Sequence, residues 1–217
     1  MDAVAAAREL EARDAALAEE AARLRELADE AEEVGVEAAA IATFFSSYPA
    51  VEANRREATA AAREELSRRR TEATAAADEV AQARNDEDRA AAESAQRRAA
   101  DRVAVAEIRL ARAQEAESEL EAQAADRQSE VPRLEKRAAR VSQARPELPH
   151  APAGPTELVE WASRARATLF VALSGVDAER DRIIREANEL GTMLLGEPTY
   201  GSTPKQVRRR IEATIAR

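Results

Sequence analysis

The residues able to do chemistry in this chain are few in kind. His150 is the only imidazole, and there is no cysteine. Metal sites built on helices need histidine at helical spacing beside carboxylates, as in a Glu-x-x-His pattern. A lone His150 among prolines supplies no such set, so no metal, thiolate chemistry or cofactor is expected. The missing thiols also leave the redox compartment open. Carboxylates are abundant, but Glu115, Glu117, Glu119 and Glu121 sit in a stretch where acidic and basic residues mix. That reads as a solvated helix face, not as two carboxyls tuned apart for acid–base work. Nucleophile-elbow, phosphate-loop and dinucleotide fingerprints are missing, as are the strands on which they operate.

Recognition chemistry is better represented, and it lies towards the C-terminus. Residues 203–217 carry Lys205, Arg208, Arg209, Arg210 and Arg217 against Glu212, a net of +4. With Val207, Ile211 and Ile215 turned inward, the Arg triplet would fan across the exposed side. Lys205, Arg208, Arg209 and Arg210 are therefore candidate contacts for nucleic-acid phosphates, an anionic membrane surface or the acidic first helix of a neighbouring subunit. An ordinary solvated face is the competing reading. Residues 196–204 hold two Gly, two Pro and Tyr200 just before a helix N-terminus, a position that favours anions. A plain connector between helices is the preferred reading there. Trp161, Leu169 and Phe170 mark the most hydrophobic helix, as a partner groove or as core. Arg164 and Arg166 are offset by Glu157 and Glu160, which disfavours a membrane-surface helix.

The elements that must position these groups are helices. Of 217 residues 55 are Ala, so the 45% hydrophobic content overstates the large side chains available for a core. Ala, Glu, Arg and Leu are strong helix formers, and Gly and Pro are scarce before residue 131. The expectation is long helices with thin apolar seams, stabilised by length or self-association. Charge is uneven: residues 1–48 hold 12 acidic and 4 basic side chains, a net of −8, close to the whole chain's −9. A solvated face is the preferred explanation, with a basic partner as the other. Arg outnumbers Lys 31 to 2, which with the Ala excess suggests a GC-rich bacterial genome. No signal peptide is visible at the start, and the longest apolar run, about 169–176, is far short of the roughly 20 residues of a membrane span. A cytoplasmic protein without a membrane span is the expectation.

Residues 2–47 read as one helix. Heptad a positions fall on Ala3, Leu10, Leu17, Leu24, Ala31, Ala38 and Phe45, and d positions on Ala6, Arg13, Glu20, Leu27, Val34, Ile41 and Tyr48. Twelve of these fourteen are apolar or aromatic, which is a coiled-coil pattern. Gly35 lies off that seam. Tyr48-Pro49 is predicted to turn the chain, with Phe44, Phe45 and Tyr48 plugging the corner. Residue i would then pair with about 97 − i, setting Leu17 against Val80 and Ala31 against Leu66. Helical signal resumes over 50–145, with expected breaks near 85–88, where Asn85 can cap a helix, and near 131–132 at Pro132. Val103, Leu110, Ala124, Val131 and Ala138 share one heptad phase, and Leu66, Ala73 and Val80 share another, so a stutter or turn must intervene.

Residues 146–155 read as a Pro-rich linker and the clearest domain boundary. A C-terminal helical unit, 156–217, follows, with Thr156 as a cap, Gly191 and Gly196 marking a helix end, and Thr203-Pro204-Lys205-Gln206 as a capping box. The fold class is thus all-α: a long antiparallel alanine-rich coiled-coil hairpin, or a three-helix stalk, over 1–145, with a small helical unit after the linker. The leading function is a non-enzymatic structural or adaptor protein that self-associates or scaffolds protein partners. The alternative is a nucleic-acid-associated accessory coil using the basic C-terminal helix. An enzyme with helix-borne carboxylates, a third class, has no motif behind it.

Overall fold

The computed structural model describes residues 3–215, which form four helices and, among those residues, no strand. They are α1 (Ala3–Gln82), α2 (Asp86–Ala144), α3 (Pro155–Leu195) and α4 (Pro204–Ile215). The all-α, helical-hairpin reading holds, but its corner is elsewhere. α1 passes straight through Pro49, so the turn predicted at 48–49 is absent. The hairpin turns at residues 83–85, where the Asn85 side chain accepts from the Asp88 backbone N–H at 2.7 Å and Asp86, Glu87 and Asp88 meet the positive end of α2. Pro132 likewise lies inside α2, so the break expected near 131–132 is not there.

An interior proline removes one ladder hydrogen bond and costs about 3 kcal/mol. Leaving the helix at residue 49 would cost more, because the apolar seam continues beyond it. Leu66, Ala73 and Val80 lie whole heptads on from Phe45, and Thr59 and Leu66, in that same phase, are buried. Around the proline, Ser46 and Ser47 hydroxyls donate to the carbonyls of Thr43 and Phe44. Pro49 and Pro132 both face outward. The aromatic trio does lie together, with ring centroids 5.3 to 6.4 Å apart, on one face of a continuous helix and not at a corner.

The chain divides into two compact units. One, Ala40–Glu130, is a pair of antiparallel helix segments, α1 against α2, closed by the 83–85 turn. Its buried side chains are few: Ile41, Thr59, Leu66, Ala76, Ala99 and Ala106. The other combines Met1–Ala39 with Val131–Arg217. Here the end of α2 packs antiparallel to α1, since Arg137 reaches Glu30, Glu33 and Glu37 while Arg145 reaches Glu20. α3 also runs antiparallel to α1, as Arg166–Glu32 and Arg180–Asp14 require. Pairing i with 97 − i is therefore corrected: α1's N-terminal half meets the end of α2, not its own continuation.

Residues 146–155 are no free linker either, and the boundary expected there falls inside this second unit. Leu148 is buried, and the Pro149 carbonyl accepts from the Ser142 hydroxyl at 2.7 Å and the Trp161 indole N–H at 3.1 Å. The Gly154 N–H donates to Glu135 at 3.0 Å. Proline density makes this strand of chain stiff, and the stiffness lets it lie back along α2 before α3 begins. Gly154, at φ 92°, precedes α3 with Pro155 at its first position, so Thr156 is not the cap. At the far end Gly196 adopts the left-handed cap (φ 69°), whereas Gly191 stays inside α3.

A second seam explains Gly35. Positions Ala7, Ala21 and Ala28, all buried, follow one another by multiples of seven, and Gly35 continues the row. They are heptad e positions, and they face α3 and α4: Ala7 clusters with Ala187, Val207 and Ile211. A Cβ on Gly35 would come within 2.7 Å of the Ala162 Cβ. Small residues on this row let α1 carry two partners at once.

Candidate interaction surface

The C-terminal basic helix was the first candidate, and α4 does begin with its capping box. The Thr203 N–H donates to Gln206 at 2.8 Å and the Gln206 N–H to the Thr203 hydroxyl at 3.4 Å. The arginines, however, do not fan outward. Arg208 is part-buried between Glu11 of α1 and Glu212, the latter at 2.5 Å, and Arg8 closes the network on Glu212 at 2.9 Å. Hydrogen bonds from Arg8 and Arg208 hold the Glu212 carboxyl below the usual carboxylate range. Arg210 pairs with Glu197. Only Lys205 and Arg209 are left exposed and unpaired among the described residues of α4, and Arg217 lies outside them. The acidic α1 is clasped within the chain.

That clasp is general. Among the described residues, seven of the eleven acidic side chains in 3–48 pair with arginines beyond residue 130: Glu11, Asp14, Glu20, Glu30, Glu32, Glu33 and Glu37. The densest point is Arg137, which is buried and donates to Glu30 at 2.6 Å, Glu37 at 2.5 Å and Glu33 at 2.8 Å. A guanidinium offers five donors in a fixed fork, so it can bridge carboxylates one and two turns apart where lysine could not. The bond from Arg137 depresses the Glu30 pKa, against the upward pull of burial. Glu179, held by Arg182, is lowered too. A general acid at neutral pH needs its pKa raised. These carboxylates are shifted the opposite way.

Residues 196–203 are a pinned connector. Thr199 is buried and its hydroxyl donates to the Asn188 carbonyl at 2.7 Å, while the Asn188 amide reaches the Ser202 carbonyl at 3.0 Å. Tyr200 points outward. His150 stays exposed. Comparison with protein-family models, with curated proteins and with solved structures found no match for this chain. Roles for its residues therefore rest on geometry.

The three residues proposed as groove or core split two to one. Trp161 and Leu169 are fully buried, the indole N–H shared between Ser142 and the Pro149 carbonyl. Phe170 is not: it is 51% exposed, and Val171 beside it 75%. The Arg166 guanidinium lies 5.8 Å from the Phe170 ring centroid, in cation–π range. Phe170 and Val171 sit within ten uncharged positions, 167–176. Beside them opens a mostly apolar groove of about 270 Å³ lined by Leu148, Thr168, Leu169, Val171 and Ala172, with Arg145 and Glu147 at its rim.

A larger open cleft of about 500 Å³ lies in the 40–130 unit, but Glu65, Arg69, Asp101, Arg102 and Arg109 dominate its lining. One further apolar feature is spread along a helix and not gathered in an unbroken apolar run. α1 contains an 18-residue stretch of mean hydropathy 1.3, of which 17% is buried, long and apolar enough by composition to cross a membrane. Core helices of soluble proteins meet the same test of length and composition, though they are mostly buried, so the stretch is an apolar band that is not assigned to a membrane.

Proposed function

We propose that the chain is a non-enzymatic coiled-coil structural or adaptor protein of the cytoplasm, working by association with itself or by holding partner proteins along its helices. The observation that carries this reading is the outer side of α3, where Phe170 and Val171 stand exposed within uncharged residues on an otherwise charged surface. Contiguous apolar patches rimmed by charge mark interaction sites. The thin seam of the 40–130 unit points the same way, since two helices that bury so little gain much from a further partner. Arginine lowers the pKa of Glu30, Glu179 and Glu212, which takes these three carboxyls away from general-acid duty. Sedimentation equilibrium over a concentration series tests the self-associating form, which expects mass to rise with concentration; a strict monomer throughout would sink it.

The nucleic-acid alternative has Lys205 and Arg209 in its favour. Two phosphate contacts supply a salt dependence with a slope of only about −2 in log K against log salt. The protein-interaction reading is the better supported.

A further inference from the structure

The outer face of α3 is self-complementary. Its exposed positions recur every three and four residues from Glu160 to Arg185, a stripe about 38 Å long at 1.5 Å per residue. The centre of the stripe is apolar or small and its ends are charged. Laid antiparallel on a second copy, with the two-fold axis between residues 172 and 173, residue i faces 345 − i.

In that register four of the five exposed charged residues between 160 and 185 meet an opposite charge, and the fifth, Arg182, faces the uncharged Ser163. Glu160 faces Arg185 of the other copy, and Arg164 faces Asp181. Asp181 and Arg185 have no ion-pair partner among the described residues, while Arg164 makes a loose 3.8 Å ion pair with its own Glu160 and donates to that residue's backbone carbonyl at 3.4 Å. The centre matches in shape. Phe170 falls on Gly175, over which an added Cβ would meet nothing within 4 Å, so the ring has room. Val171 falls on Ser174, and Ala167 on Ala178, small enough for the helices to approach. A two-fold interface requires one patch to complement itself, every contact occurring twice.

We propose that the chain forms an antiparallel homodimer through α3, with Phe170 as the anchor and the Arg164–Asp181 and Glu160–Arg185 pairs fixing the register. This rests on the self-association reading above and names its surface. Exposed ion pairs add little affinity, but like charges placed opposite one another exclude wrong registers. The parallel arrangement is disfavoured on these grounds, because it sets Arg164 against Arg164 and Asp181 against Asp181.

Sedimentation of the full chain and four variants tests this, with circular dichroism showing that each stays helical. Phe170→Glu is expected to weaken dimerisation by about tenfold or more, from the lost burial of one aromatic. Arg164→Asp and Asp181→Arg should each weaken it, and the double variant R164D/D181R should restore it. Because the chain has no cysteine, orientation can be read by oxidation. Ala167→Cys mixed with Ala178→Cys should give a disulfide-linked heterodimer, whereas efficient linking of Ala167→Cys to itself would indicate a parallel pair and overturn the register. A wild-type dimer indifferent to Phe170→Glu and to both charge reversals would overturn the α3 surface yet leave self-association standing. A wild-type chain that is monomeric at every concentration would overturn both.

Discussion

Replacing Gly35 by Ala should destabilise this protein, against the ordinary rule for helices. In the interior of an isolated helix, Gly→Ala is worth about 1 kcal/mol in favour of folding. Here the new methyl would sit 2.7 Å from the Ala162 Cβ. Carbon atoms pack best at roughly 3.5–4.0 Å, so the helices must part by about 1 Å. Neither Cβ has a rotamer through which to escape. α1 and α3 are held beside the contact by the 2.9 Å Arg166–Glu32 pair and by the fully buried Leu158, Trp161 and Ala165. Overpacking of this kind costs about 1–3 kcal/mol, leaving a net loss of up to about 2 kcal/mol. For a chain of this size a 1 kcal/mol loss lowers Tm by roughly 2–4 °C. Gly175→Ala is the control: it is also inside α3, but its Cβ meets nothing within 4 Å. Thermal and urea unfolding followed by far-UV circular dichroism, at concentrations low enough to avoid association, should show Gly175→Ala raising the midpoint and Gly35→Ala lowering it. If both raise it, the second seam of α1 is not packed as described.

Arg137→Ala should cost about 2–3 kcal/mol in urea unfolding, less than the 3–5 of a fully buried pair, because Glu33 and Glu37 are about half exposed and can rehydrate. Stability should also fall in acid. The Glu30 pKa is lower folded than unfolded, so the unfolded chain takes up its proton first, and the contribution is complete above about 4.5 and lost as pH drops below it. Glu30→Gln should flatten that part of the stability-against-pH curve, and an unchanged slope would contradict it. Gly191→Ala would push a methyl to 2.8 Å from both the Thr199 hydroxyl and a Val207 methyl. It should loosen α4, seen as faster amide exchange over 204–215 and easier proteolysis within 196–203. Gel shifts with duplex DNA should be weak, and neutralising Lys205 and Arg209 together should remove most of what remains; tight, steeply salt-dependent binding would favour the nucleic-acid reading instead.

Local physics was legible without coordinates. Leu24, Ala31, Val34, Ala38 and Ile41 of the first helix's a and d rows are buried, the Asn85, Thr203 and Gly196 caps are in place, and Trp161 and Leu169 belong to a core. Even the continuity of α1 was written in its heptads, since Phe45, Leu66, Ala73 and Val80 keep one phase across Pro49. A punctuation rule for proline outweighed that pattern wrongly, because one lost hydrogen bond is small beside two in-phase seams. What no local rule could supply was partnership. Glu30, Glu33 and Glu37 read as a solvated face until Arg137, a hundred or more residues away in sequence, is placed among them. Gly35 reads as a flaw until Ala162 lies against it. The Arg208 that seemed free for phosphates is taken by Glu11, and Phe170, one residue from the buried Leu169, is left outside. Helix type, seam and caps depend on neighbours within a few residues, which sequence displays. Which charged and apolar faces remain unpaired depends on the packing of helices distant in the chain, and the tertiary structure alone decided that.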